Sequence, residues 1–171
     1  MSDARSLAQF SAETDDDGRF VRQVSAFRRA VKDEPGAEFP PEAGRYHLYV
    51  SYACPWASRT LVVRALKGLE DAIGVTIVDP VRDERGWRFG DGSAENGEPD
   101  PLHGWTYLSE GYVQTDPSFD GRVTVPVLWD TKTNTAVNNE SSEIIRMLNS
   151  EFNAFAKHPE VFDHVFLALI A

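Results

Sequence analysis

The chain has 171 residues, 42% of them hydrophobic and 26% charged, enough for one good core or one compact domain with extensions. Its formal net charge of −10 argues against nucleic-acid binding, which needs clustered Lys and Arg, and suits a soluble protein that handles small molecules or proteins. The opening MSDARSLAQF lacks the basic start and apolar stretch of a secretory signal. The longest apolar run, VFLALIA at 165–171, is far too short to span a bilayer, and the single cysteine, Cys54, can form no internal disulfide. A cytoplasmic protein with no membrane partner is the expectation.

Residues 1–42 are polar, with Phe10, Phe20, Val24 and Phe27 scattered among charges. The stretch DEPGAEFPPEAG is rich in breakers, so this part reads as an N-terminal extension lying across a domain, then a linker. RYHLYVS (45–51) alternates His47, Tyr49 and Ser51 against Tyr46, Leu48 and Val50 and reads as a first strand. PWASRTLVVRALKG (55–68) reads as a helix opened by its proline, with Ala57, Leu61 and Ala65 on one face, Val62 and Leu66 beside them, and Gly68 as C-cap. IGVTIVDP (73–80) is a second strand. Residues 81–121 are long, irregular and aromatic, with Trp87, Phe89, Trp105, Tyr107, Tyr112 and Phe119. A stretch of that length has a function or hides short elements. VTVPVLWD (123–130) is a third strand, TKTNT a turn and AVNN a short fourth strand. ESSEIIRMLNSEF (140–152) is a helix with Ile144, Ile145 and Leu148 on one face and Asn139 as its N-cap.

This order is β-α-β followed by β-β-α: parallel pairing first, then an antiparallel edge. The α/β pattern resembles the thioredoxin-like layout, whose reactive cysteine sits where the first strand meets the first helix. Cys54 sits at that point. Composition alone favours a buried structural cysteine. A position just before a helix faces unpaired N–H groups and the positive end of the helix dipole, both of which favour thiolate, and Arg59 can add positive potential. The motif is C-P-W-A, with Ala57 where a second cysteine would stand, so a reactive Cys54 must be resolved by an external thiol; glutathione is the abundant cytosolic candidate. The four histidines, His47, His103, His158 and His164, show no metal-ligand spacing with Cys54, and no metal is expected.

In thioredoxin-like folds a proline at the start of the third strand is cis and turns the preceding residue's backbone toward the cysteine. Val125 and Pro126 fit that pattern, with a trans proline on an edge strand as the alternative. At the last helix, Ser141 can offer a hydroxyl and an N–H to a γ-glutamyl carboxylate and Glu140 can meet an ammonium; simple helix capping is the competing reading.

The stretches YACPWASRTLVVRALKGLE, IVDPVRDERGWRF, LSEGYVQTDPSFDGRVTVPVLWD and VNNESSEIIRMLN resemble the glutathione transferases, and more specifically the glutathionyl-hydroquinone reductases of the Xi class, over about residues 20–153. The resemblance implies a thioredoxin-like N-terminal domain with catalytic Cys54. Trp87 would pack against glutathione, Arg122 would meet a carboxylate, Val125 would give backbone bonds, and Glu140 with Ser141 would hold the γ-glutamyl end. It also implies glutathione as co-substrate, quinone-derived small molecules as partners and, for full-length relatives, homodimers, leaving this chain's own state open. Two departures stand out. Ser58 replaces the histidine that many members carry, and members continue into an all-helical domain holding much of the hydroquinone pocket. Here the tail FAKHPEVFDHVFLALIA drifts from the pattern, with Val161, Val165 and Leu169 and with Phe162 and Phe166 on helical spacing. The expected organisation is an extension (1–42), a glutathione-binding domain (43–153) and the start of a truncated or altered helical segment (154–171), the helical domain being missing. Two functions follow: a Cys54-dependent glutathionyl-hydroquinone reductase, or a non-catalytic module that binds glutathione or a protein partner.

Overall fold

The computed structural model describes residues 24–83, 85–93 and 96–160. Phe10 and Phe20, and the tail stripes of Val161, Val165 and Leu169 and of Phe162 and Phe166, lie outside them. Strand β1 (Tyr46–Val50) runs parallel to β2 (Ile73–Ile77), Tyr46 opposite Ile73 and Val50 opposite Ile77, because α1 (Pro55–Lys67) carries the chain back across the sheet. On its other side β1 pairs antiparallel with β3 (Val127–Asp130), which turns through residues 131–134 into β4 (Thr135–Asn138). The sheet order is β2-β1-β3-β4. With α3 (Ser141–Ser150) packed beside α1, this is the thioredoxin-like arrangement.

All five β1 residues are buried, since both faces of the sheet are covered. Tyr46, on the face with Leu48 and Val50, meets Phe152 edge-on at 5.5 Å just after α3. On the opposite face Tyr49 packs against Phe89, Trp105 and Trp129. The long aromatic insert is therefore the lid of the second sheet face. It contains a short helix, α2 (Ser109–Thr115), which periodicity alone does not reveal: SEGYVQT is polar, brief and holds a glycine. That glycine is required, because a Cβ on Gly111 would stand 2.7 Å from the Trp105 ring.

The buried face of α1 differs from the expected one. Ala57, Thr60, Val63 and Lys67 point inward, while Val62 and Leu66 are exposed and Ala65 faces solvent. The run LVV supplies apolar residues on adjacent faces, so spacing does not select one. Long polar side chains close the helix's lower end instead: Arg64 Nε donates to Ile73 O at 2.7 Å, and Lys67 Nζ donates to Asn153 Oδ1 and Pro159 O, both at 2.7 Å. Gly68 ends the helix in the left-handed region (φ 65°), the conformation that glycine adopts without penalty.

The described part of the N-terminal stretch is built into the domain. Residues 27–29 lie along β4: the Arg29 N–H donates to Val137 O and the Asn139 N–H to Phe27 O, both at 3.0 Å, and the Asn138 amide donates to Arg29 O at 2.9 Å. Phe27, Val31 and Phe39 join the core. At the far edge, Glu98 closes both backbone groups of Ile77, donating its N–H to Ile77 O (2.8 Å) and accepting the Ile77 N–H on its carboxylate (2.9 Å).

Asn139 is not the cap of α3; Glu140 is, its carboxylate accepting the Ser142 N–H at 3.3 Å. The Asn139 side chain has three other partners. It accepts the Phe27 N–H and donates to the Tyr112 hydroxyl and Thr124 Oγ1, so it ties the N-terminal segment to the sheet. One buried ion pair joins the start of β1 to the end of β3: Arg45 grips Asp130 with bonds of 2.8 and 2.7 Å. Burial pushes the Asp130 carboxyl up, but the bonds from Arg45, Thr133 and the Lys132 N–H outweigh it and hold the group below its ordinary value.

Candidate active site

Cys54 is the N-cap residue of α1, in extended conformation (φ −107°, ψ 110°). Its carbonyl accepts the Ala57 and Ser58 N–H groups at 3.1 and 3.0 Å and the Ser58 hydroxyl at 3.1 Å. Ser58 is thus turned back onto its own helix. The thiol takes no part in capping; Sγ donates across to Val125 O at 3.6 Å. The sulfur is half-buried at the edge of the core. The Val125–Pro126 peptide is cis, and β3 begins only after it, at Val127.

A cleft of about 400 Å³ opens at this point, where the carboxyl end of β1, the start of α1 and the start of α3 converge. Cys54, Trp87, Arg122, Val125, Pro126 and Ser141 all line it. Glu140 stands directly behind Ser141 as the cap of α3, its carboxylate also accepting the Ser25 hydroxyl at 2.9 Å and that of Ser142 at 3.0 Å. The residues singled out in the sequence are therefore gathered round one opening, although 86 positions separate Cys54 from Glu140.

Other residues belong to the same site, and among them the sequence points only to Arg59. Arg82 lines the cleft with its guanidinium 5.2 Å from the centre of the Trp87 ring. Trp56 and Ser25 line it too, and Arg59 reaches across behind it: its guanidinium sits 4.9 Å from the Trp56 ring centre and donates to Ser141 Oγ. The segment RDERGWRF crowds five charges and an aromatic pair into eight residues, but only tertiary structure shows which arginine faces inward. The indole N–H of Trp87 is buried with no hydrogen-bond partner among the described residues, a donor awaiting an acceptor.

Among the described residues the lining holds two arginines and no carboxylate, in a chain of net charge −10. Together with hydroxyls and a helix N-terminus, this suits a small anionic ligand placed against the Cys54 sulfur. Among the described residues no group of three His, Cys, Asp or Glu could hold a metal, and no helix is long and apolar enough to cross a membrane.

The thioredoxin-like fold with its cysteine at the head of α1 defines the class: residues 53–151 match the model of the glutathione S-transferase N-terminal domain. The chain belongs to the glutathione S-transferase family, and its relatives there are Xi-class transferases and glutathionyl-hydroquinone reductases. It is 53% identical over 144 residues to glutathione S-transferase omega-like 2 of Schizosaccharomyces pombe, covering 84% of this chain and 45% of that one. It is 50% identical over 143 residues to the glutathionyl-hydroquinone reductase YqjG of Escherichia coli, covering 80% and 43%. The glutathione-bound YqjG structure superposes with a TM-score of 0.73 at 47% identity, over 81% of this chain and 48% of that one. The Xi-class transferase of Natrialba magadii superposes with a TM-score of 0.77 at 58% identity, over 81% and 43%. The chain thus spans less than half the length of these relatives, matching their N-terminal part.

Proposed function

We propose that this chain is the glutathione-handling domain of a glutathionyl-hydroquinone reductase, with Cys54 as the nucleophile. The carrying observation is that Cys54 shares one cation-lined cleft with Trp87, Arg122, Val125 and Ser141. In this reading Trp87 packs on glutathione, Arg122 meets a carboxylate, the Val125 backbone pairs with the peptide, and Glu140 and Ser141 hold the γ-glutamyl end. The Cys54 thiolate attacks the thioether sulfur of a glutathionyl-hydroquinone. The sulfur–aryl bond breaks, its electron pair passes to the ring carbon, and that carbon takes up a proton as hydroquinone leaves. A second glutathione thiolate attacks the resulting mixed disulfide, releasing oxidised glutathione and restoring Cys54. Its setting would be the cytoplasm, where the co-substrate is plentiful.

Intact-mass measurement after treatment with oxidised glutathione, with Cys54→Ser as control, tests the thiol: one glutathione adduct is expected on the wild type and none on the variant. A wild type without adduct rejects the proposal. A second reading is a binding module without hydroquinone turnover. Reduction of glutathionyl-menadiol separates the two: turnover that depends on Cys54 supports the reductase, and adduct without turnover supports the module.

A further inference from the structure

We propose that Arg59 is a positioning residue that fixes the Ser141 hydroxyl as a hydrogen-bond donor to the α-carboxylate of the ligand's γ-glutamyl group; this rests on the glutathione reading above. Ser141 is the first residue of α3, nearly buried, and lines the cleft. Its hydroxyl has one proton and two lone pairs. The Arg59 guanidinium donates to this one oxygen through two nitrogens, Nε at 3.1 Å and Nη2. With the cation against the oxygen's lone-pair side, the proton turns away from it and is left to donate elsewhere. The neighbouring acceptor, the Glu140 carboxylate, already receives the Ser25 hydroxyl, the Ser142 N–H and the Ser142 hydroxyl.

Arg59 is itself held. Its guanidinium lies over the Trp56 ring at 4.9 Å and within 3.9 Å of Glu140, and its side chain is only about one quarter exposed (26%). It stands on the helix that Cys54 caps and bonds the helix that begins at Ser141. The fork therefore sets both the distance between nucleophile and carboxylate site and the direction of the hydroxyl proton. A hydroxyl donor at a helix start, where the positive end of the helix dipole lies, selects an anionic acceptor over an alcohol or an amide. A lysine at the same position has no planar fork and cannot direct two bonds at one oxygen.

The test is the rate at which Cys54 forms a mixed disulfide, followed by intact mass, with two reagents. Oxidised glutathione carries α-carboxylates; bis(2-hydroxyethyl) disulfide carries none. In both, the Cys54 thiolate attacks one sulfur and expels the other as thiolate. Arg59→Met is expected to lower the ratio of the two rates, oxidised glutathione over the neutral reagent, about tenfold, the loss of one hydrogen bond to a charged group, because any change in the thiolate itself acts on both reagents alike. Ser141→Ala should match it, and the double variant should be no slower than either single one. Arg59→Lys, which keeps the charge, should remain slow with oxidised glutathione, and it decides the matter with Ser141→Ala should Arg59→Met fail to fold. Equal slowing with both reagents, multiplying effects in the double variant, or full rescue by lysine would each overturn the role of Arg59. A wild type that reacts no faster with oxidised glutathione than with the neutral disulfide would instead remove the glutathione reading itself.

Discussion

Acid should unfold this domain earlier than its carboxylates alone would require, and His47 is the reason. The ring is 7% exposed, on the aromatic face of the sheet, with Nε2 bonded to Thr76 Oγ1 at 2.7 Å and Tyr49 against it at 5.0 Å. Burial lowers its pKa from 6.5 to about 4; the Asp100 carboxylate pulls upward, and Arg64 and His103 push further down. The unfolded chain therefore takes up a proton near pH 6.5 and the folded chain only near pH 4. The stability this represents is complete above pH 6.5 and drains as pH falls toward 4. Over that window the full loss is about 3.4 kcal/mol, and by pH 5 it has reached about 2 kcal/mol. For a chain of this size that lowers Tm by about 4–8 °C between pH 7 and pH 5. Thermal denaturation of wild type and His47→Gln across this range is the assay. The variant should lose little of that increment, whatever its starting Tm, since the other titrating groups are common to both. Parallel Tm-against-pH curves would refute the assignment.

The same ring sets a second outcome. A Cβ on Gly74, the β2 residue opposite His47, would lie 2.4 Å from Nδ1, and the buried ring has no room to retreat. Gly74→Ala should cost about 1–3 kcal/mol in urea unfolding, and an unchanged midpoint would show that the ring moves freely. Asp130→Asn keeps the shape but leaves the buried Arg45 guanidinium only the half-exposed Glu42, at 3.9 Å, as counter-charge. A loss of about 3–5 kcal/mol is expected from chemical denaturation, and a change below about 1 kcal/mol would mean that water compensates the pair.

Much of this architecture is legible from short-range patterns. The alternation of RYHLYVS, Pro55 opening α1 and Gly68 closing it each follow from local chemistry, and Cys54 stands at a strand–helix junction that needs no tertiary information to recognise. What escapes is set by long-range contact. The insert covers a sheet face, yet α2 within it is too short for periodicity to register. Asn139 and Glu140 are both good caps, and the choice falls to Glu140 only because Asn139 is drawn to Phe27, Tyr112 and Thr124. Arg82 looks like an ordinary surface cation until the fold sets it over Trp87, and Arg59, expected only to add positive potential near Cys54, shows its bond to Ser141 only in the fold.

An open four-stranded sheet carries two outer strands whose spare N–H and C=O groups invite another chain to add on. Here the backbone of residues 27–29 runs along β4, and Glu98 satisfies Ile77 at the end of β2. Trimming the chain to begin after Phe39 would strip β4 and invite strand addition between molecules. Residues 24–39 are thus a guard against self-association as much as a wall of the cleft.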